Sequence, residues 1–293
     1  MNILSLFDGI SCGQIALQRA GVKVDKYFAC EIDKHALNVA QVNYPNTVQL
    51  GDVCSVDLNK LPKIGMLCAG SPCQGFSSAG KQLNFNDPRS KLFFEFVRIL
   101  GELRKVNPDI KFLLENVRMK KEWLDVITLH LGVEPIKINS ALVSAQNRVR
   151  YYWTNIKGVT QPQDKGIDLA KVLQCPSPTF KKHDFLSPIH SSQFFFGAAL
   201  RTHPRQPNGL KRKKRLEFRK DDKSNCITTH PLDSLFALGD GQYRKFLPIE
   251  VERLQTVPEG YTEALSDTQR HKCLGNGWTV DIIAHIFSFL KVE

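Results

Sequence analysis

No apolar run in the 293 residues approaches the roughly 20 needed to span a bilayer. A membrane-embedded helical protein is therefore not expected. The first residues, 1-MNILSLFDG-9, lack a charged n-region and a small-residue cleavage site. They read as a strand rather than a secretory signal, so the expectation is an intracellular protein. The eight cysteines, at 12, 30, 54, 68, 73, 175, 226 and 273, contain no CxxC pair. That scatter argues against a disulfide framework and against a structural zinc site, so no metal is expected. The strict dinucleotide fingerprint GxGxxG is missing too, which disfavours a pyrophosphate-bearing cofactor. Internal repeats are absent.

What is present is basic. Lys and Arg outnumber Asp and Glu by 40 to 29, a net charge of +11. The excess is uneven: Arg201–Lys223 holds ten basic and three acidic residues, including 211-KRKKR-215. Such a run is either a solvated loop or a surface for a polyanion.

Apolar strands alternate with helical patterns through the first half, at 2–7, 27–31, 47–50, 64–69 and 111–115. In 90–106, Phe93, Phe96, Val97 and Leu100 fall at helical spacing. This predicts a mostly parallel α/β sheet with helices on both faces. Residues 134–143 and 149–156 read as two successive strands, which places an antiparallel strand at one end. From 158 to 264 prolines cluster and periodicity fades, so a smaller, loop-rich domain is expected there. Helical periodicity returns in 280-VDIIAHIFSFLK-291, whose apolar stripe should pack on the first domain. The resulting division is 1–157 plus 265–293 for one domain and 158–264 for the other.

Chemistry gathers at the strand ends. A glycine turn, 6-LFDGISCG-13, follows strand 1, where ligands of such sheets bind. Ser11 stands where the fingerprint needs glycine, and Asp8 would repel phosphate. Glu31 ends strand 2 and Asp52 follows strand 3. Acidic residues without a phosphate loop suit a nucleoside-like cofactor, with S-adenosylmethionine the foremost candidate. In 70-GSPCQGFS-77, Cys73 lies beyond strand 4 with Pro72 fixing the backbone and glycines leaving room for a ligand. Glu115 follows in 115-ENV-117, where burial can make a carboxyl a proton donor. In 146-QNRVRYY-152, Arg148 and Arg150 fall two apart, which points both to one face of a strand. Taken together, these features favour a reactive thiol at Cys73 over a structural one.

The ordered set 6-LFDGISCG-13, Glu31, 51-GDV-53, 70-GSPCQGFS-77, 115-ENV-117, 146-QNRVR-150 and 274-LGNGWTV-280 resembles the DNA (cytosine-5) methyltransferase family over almost the whole chain. The DGIS turn, 144-SAQNRVRYYWTNI-156, 227-ITT-229 and Trp278 lean in style toward animal de novo methyltransferase catalytic domains and phage-type solitary enzymes. A compact bacterial or phage enzyme is expected.

The resemblance implies a Rossmann-like methyltransferase sheet and a target-recognition domain over 158–264. It implies methyl transfer from S-adenosylmethionine to C5 of a cytosine flipped from double-stranded DNA, leaving S-adenosylhomocysteine. Cys73 would attack C6, Glu115 would bind the ring, and Arg148 and Arg150 would serve the base pocket, a phosphate or Glu115. Phe7, Asp8, Gly9, Ile10, Ser11, Cys12, Glu31, Ile32, Asp52, Val53, Leu92, Asn276, Gly277 and Trp278 would hold the cofactor. Gln74, Ser77, Lys211, Arg212, Lys213, Lys214 and Arg215 would meet DNA, and the 74–90 loop would close as a lid. A companion restriction enzyme fits this picture. So does a location in the cytoplasm or nucleoid of a bacterial or phage-infected cell, or in a nucleus if the source is eukaryotic. Two alternatives stay open: a transfer-RNA-modifying member, whose usual Pro-Pro-Cys start is not matched because Ser71 precedes Pro72, and a non-catalytic DNA-binding member.

Overall fold

The computed structural model describes residues 1–71, 91–174, 181–182, 195–202, 214–238, 240 and 242–291. The chain divides into two compact units. One comprises Met1–Asn139, Val149–Pro162 and Val280–Glu293; the other comprises Ser140–Arg148 and Gln163–Thr279.

The first unit is built on a seven-stranded sheet of order β3-β2-β1-β4-β5-β7-β6. Its strands are β1 (Asn2–Leu6), β2 (Lys26–Cys30), β3 (Val48–Gln49), β4 (Met66–Gly70), β5 (Lys111–Val117), β6 (Ile136–Asn139) and β7 (Val149–Thr154). The first five run parallel. The antiparallel strand is β7, and it lies inside the edge, paired with β5 on one side and β6 on the other. Continuous apolar composition follows from burial on both faces: residues 66–69 of β4 and 112–114 of β5 are fully enclosed.

Helices α1 (Cys12–Arg19), α2 (Lys34–Asn43), α3 (Lys91–Val106) and α4 (Lys121–Leu131) connect the strands. As the spacing in 90–106 predicts, α3 buries Phe93, Phe96 and Leu100, together with Ile99 and Leu103. The last helix, α7 (Val280–Ser288), belongs to the first unit and buries Ile282, Ile283, Ile286 and Phe287. It packs on α1, with Arg19 and Asp281 paired at 2.7 Å.

The second unit carries more order than its sequence suggests. A five-stranded antiparallel sheet runs β10-β9-β11-β12-β8, made of β8 (Lys181–Lys182), β9 (Phe195–Thr202), β10 (Lys214–Phe218), β11 (Leu235–Leu238) and β12 (Gln242–Lys245). Its small core is Ala198, Leu216, Leu235 and Ala237. Helix α5 (Pro248–Leu254) begins on a proline, whose missing N–H costs nothing in a first turn. Helix α6 (Asp267–Asn276) also groups here, whereas the sequence pattern places 265–293 with the first domain. The reason is a buried polar framework: Gln255 donates to the carbonyl oxygens of Leu274 and Gly277 and accepts from Thr279.

Candidate active site

Parallel strands bring the C-terminal ends of β1 to β5 to one edge, so residues distant in sequence become neighbours there. At β1 the chain turns sharply: Phe7 and Ser11 hold left-handed φ values of 56° and 58°, and Gly9 holds 60°. A β-carbon at Gly9 would meet no atom within 4 Å, so this turn faces open space. Ile10, Ser11 and Cys12, which follow in the turn and the start of α1, are buried.

Three carboxylates line these strand ends. Asp8 accepts hydrogen bonds from Tyr27 Oη at 2.7 Å and from Ser11 Oγ. Enclosure pushes its carboxyl above the ordinary range against the pull of hydrogen bonds from Ser11, Ser5 and Tyr27, and Glu31 adds to the rise. Glu31 accepts from the backbone N–H of Gly9, Ile32 and Asp33, each at 2.8 Å, so β2's end is tied to the glycine turn. Asp52 caps the turn that follows through the Cys54 N–H at 2.9 Å. Beside them Ile32 is 74% exposed, while Val53 is buried. Phe7 and Leu92 pack partly against the main core.

These residues fit S-adenosylmethionine. An open glycine turn, fixed carboxylates and an exposed aliphatic suit a cation, hydroxyls and a flat base. Nothing among them suits phosphate.

Glu115 lies within β5, two residues before its end, and is buried. Its backbone neighbour on β4 is Gly70, the last residue before Ser71 and Pro72. Arg150 Nε is 2.9 Å from Glu115 Oε1. Next to it, Asn116 Nδ2 donates to Ser71 Oγ at 2.9 Å, with both residues buried. Residue type alone does not single out Asn116 and Ser71 as site residues; the signal for Asn116 is the motif 115-ENV-117 itself.

Arg148 goes elsewhere than the two-residue spacing predicts. It precedes β7, belongs to the second unit, and is 4% exposed. Its guanidinium donates to the carbonyl oxygens of Ile227 at 2.7 Å, Gly277 at 2.9 Å and Gly275 at 3.5 Å. Gln146 works beside it, donating to Leu254 O at 3.0 Å and accepting from Ile227 N at 2.8 Å. The segment 146–148 thus ties three stretches of the second unit together. Asn276 is exposed and Trp278 half-buried, on either side of the Gly277 carbonyl that Arg148 holds.

Cys73, Gln74, Ser77, Lys211, Arg212 and Lys213 lie outside the described residues, as does the 74–90 loop. Lys214 and Arg215 open β10, paired in register with Thr202 and Arg201. Among the described thiols, burial raises Cys30 to about 12 and pushes Cys68 higher still, which makes them inert core residues. Among the described residues no cluster of metal-binding side chains occurs, and no helix is long and apolar enough to cross a membrane.

A mixed sheet of this order, with an open carboxylate-lined turn at its C-terminal edge and a separate antiparallel sheet, defines a Rossmann-like methyltransferase with a recognition subdomain. Comparison with known families narrows this. The model of the C-5 cytosine-specific DNA methylases matches residues 1–182 and 181–291, and the chain belongs to that family. It is therefore a methyltransferase enzyme, and family membership implies S-adenosylmethionine as donor.

The chain is 30% identical over 96% of its length to the type II methyltransferase M1.ScrFI of Lactococcus lactis subsp. cremoris, covering 76% of that protein. It is 29% identical over 99% of its length to M.NlaX of Neisseria lactamica, covering 96% of it. An orphan methyltransferase of Bacillus phage rho11s is 31% identical over 62% of the chain and 40% of its own length. Among solved structures, the Entamoeba histolytica methyltransferase EhMeth superposes with a TM-score of 0.70 at 18% identity, covering 100% of this chain and 99% of that one. At that identity the likeness speaks for the fold.

Proposed function

We propose that the protein methylates C5 of cytosine in double-stranded DNA through a covalent adduct between Cys73 and C6 of the ring. The observation that carries this reading is the buried Glu115–Arg150 pair, set beside Gly70, where the chain enters the Pro-Cys loop. A flipped base needs a fixed carboxyl group to grip its ring edge, and Arg150 fixes this one. A thiolate is needed at Cys73 because it attacks well and leaves well. Attack at C6 forms the carbon–sulfur bond and places negative charge on the ring, where hydrogen bonding by Glu115 at N3 and the exocyclic amine stabilises it. After C5 is methylated, removal of the C5 proton and breakage of the C6–sulfur bond free Cys73. Ser71, held by Asn116, anchors the start of the loop that bears the nucleophile.

Phe7, Asp8, Gly9, Glu31, Ile32, Asp52, Val53 and Leu92 hold the cofactor, together with the turn Ile10 to Cys12. When bound, S-adenosylmethionine supplies an electrophilic methyl group. Glu31 takes the ribose hydroxyls, and its three backbone bonds fix both oxygens beforehand. Asp52 meets the adenine amine, and Asp8 faces the methionine end.

Residues 158–264 form the target-recognition domain, with Gln74, Ser77 and 211–215 on DNA. The type II and phage relatives favour a restriction-modification or phage setting inside the cell, with a companion restriction enzyme in the former. Parallel assays with labelled cofactor on duplex DNA and on transfer RNA test the reading. Label in duplex DNA, lost in Cys73→Ser while cofactor binding persists, supports it. Label in RNA alone, or turnover by Cys73→Ser, overturns it.

A further inference from the structure

Beyond Glu115 the chain carries charge that the catalytic reading leaves unused. Strand β5 ends at Val117 and α4 starts at Lys121, joined by 118-RMK-120. Arg118, Lys120 and Lys121 are exposed, while Met119 between them is 7% exposed and sits in the main core. Met119 pins the connection from below, so the cations beside it stand outward on a fixed backbone. Lys121 has a partner in Asp125 at 2.7 Å. Arg118 and Lys120 form no ion pair among the described residues.

Local stability does not call for these residues. A helix N-terminus is the positive end of the helix dipole and prefers acceptors or acids. Here Lys120 caps α4 without any side-chain hydrogen bond. Position supplies another reason. Val117 is paired in register with Arg150, and Arg118 comes three residues after Glu115, about 10 Å along an extended chain. The cations therefore follow directly from the end of the strand that carries Glu115, within a few residues of it.

We propose that Arg118 and Lys120 bind backbone phosphates of duplex DNA flanking the base received at Glu115. This rests on the proposed DNA-methylating reading. Each phosphate neutralised releases counterions and contributes about 0.9 to the slope of log affinity against log salt.

The test is duplex binding by fluorescence anisotropy across about 50–200 mM salt. Arg118→Gln/Lys120→Gln should flatten the slope by about 1.8 and weaken binding at least fivefold at the low-salt end, with cofactor affinity and thermal unfolding unchanged. Arg118→Lys/Lys120→Arg should keep the wild-type slope. Lys26→Gln, at the opposite strand end, should leave it unaltered as well. A wild-type slope in the Gln double variant, with the wild type binding and methylating duplex, overturns this proposal alone. A wild type that neither binds nor methylates duplex overturns the functional reading and this proposal with it.

Discussion

Arg150 Nε lies 2.9 Å from Glu115 Oε1, and the sheet register explains why. Val117 is the backbone partner of Arg150, and Glu115 lies two residues before Val117. Residues two apart in a strand share a face, so Glu115 and Arg150 are diagonal neighbours. Both side chains are nearly enclosed, at 11% and 13% exposure. Removing one partner leaves a buried charge alone, which typically costs about 3–5 kcal/mol. Arg150→Met is therefore expected to lower the unfolding free energy in urea by about that amount and to abolish methyl transfer. Glu115→Gln/Arg150→Met should recover most of the stability and none of the activity. Wild-type stability in the single variant would show that the pair does not matter to the fold.

Arg148 is expected to behave differently. Its charge is committed to three backbone carbonyls of the second unit. Arg148→Gln should destabilise by about 3–5 kcal/mol, since each charge-assisted hydrogen bond is worth about 1.5–3 kcal/mol and the longest counts least. Arg148→Lys should rescue little, because an ammonium lacks the guanidinium fork. The salt dependence of duplex binding should not change in either variant that remains folded. A slope flattened by about 0.9 would instead place Arg148 on a phosphate.

Asp8 carries a pH prediction. Its carboxyl is raised in the folded protein, chiefly by burial and against hydrogen bonds from Ser11, Ser5 and Tyr27. The folded state then holds a proton that the unfolded chain has released. Stability from this group is greatest below the unfolded value near ~3.9 and falls as pH climbs through the folded one. Charged Asp8 thus opposes folding at neutral pH. Asp8→Asn should raise the apo-protein Tm at pH 7, with the difference vanishing toward pH 4, while weakening cofactor binding about tenfold or more. An equal Tm difference at both pH values would contradict this origin.

Gly275 sets two effects against each other. Alanine within a helix normally gains up to about 1 kcal/mol over glycine. At Gly275, in α6, a β-carbon would run into the Thr228 carbonyl and come within 2.6 Å of the Thr229 nitrogen, both rigid backbone. The clash should win, and Gly275→Ala should lower the Tm. A raised Tm would mean that 227-ITT-229 yields easily.

Much of this was legible in the sequence where periodicity and strand ends carry the signal. The apolar runs at 2–7 and 64–69 and the stripe of α3 located the sheet and its edge, and with it the turn at Asp8 and the carboxylate at Glu31. The apolar run puts Glu115 at a strand end, but it lies inside β5, because 116-NV-117 continues the ladder with Tyr151 and Arg150. Arg148 departs from the spacing argument for a different reason. Period two holds only within a strand, and β7 begins one residue later, at Val149. Its partners at 227, 275 and 277 are main-chain carbonyls, which leave no trace in residue identity. The second sheet was hidden likewise. The run 195-FFGAAL-200 in β9 does not alternate, since Phe196, Ala198 and Ala199 are all buried.

Bisulfite sequencing of DNA from cells expressing the protein reads methyl transfer to C5 of cytosine by Cys73 at the base itself. Cytosines protected from conversion are expected in one recurring sequence context, with protection abolished by Cys73→Ala. Full conversion in wild-type cells, or protection that survives Cys73→Ala, would contradict it.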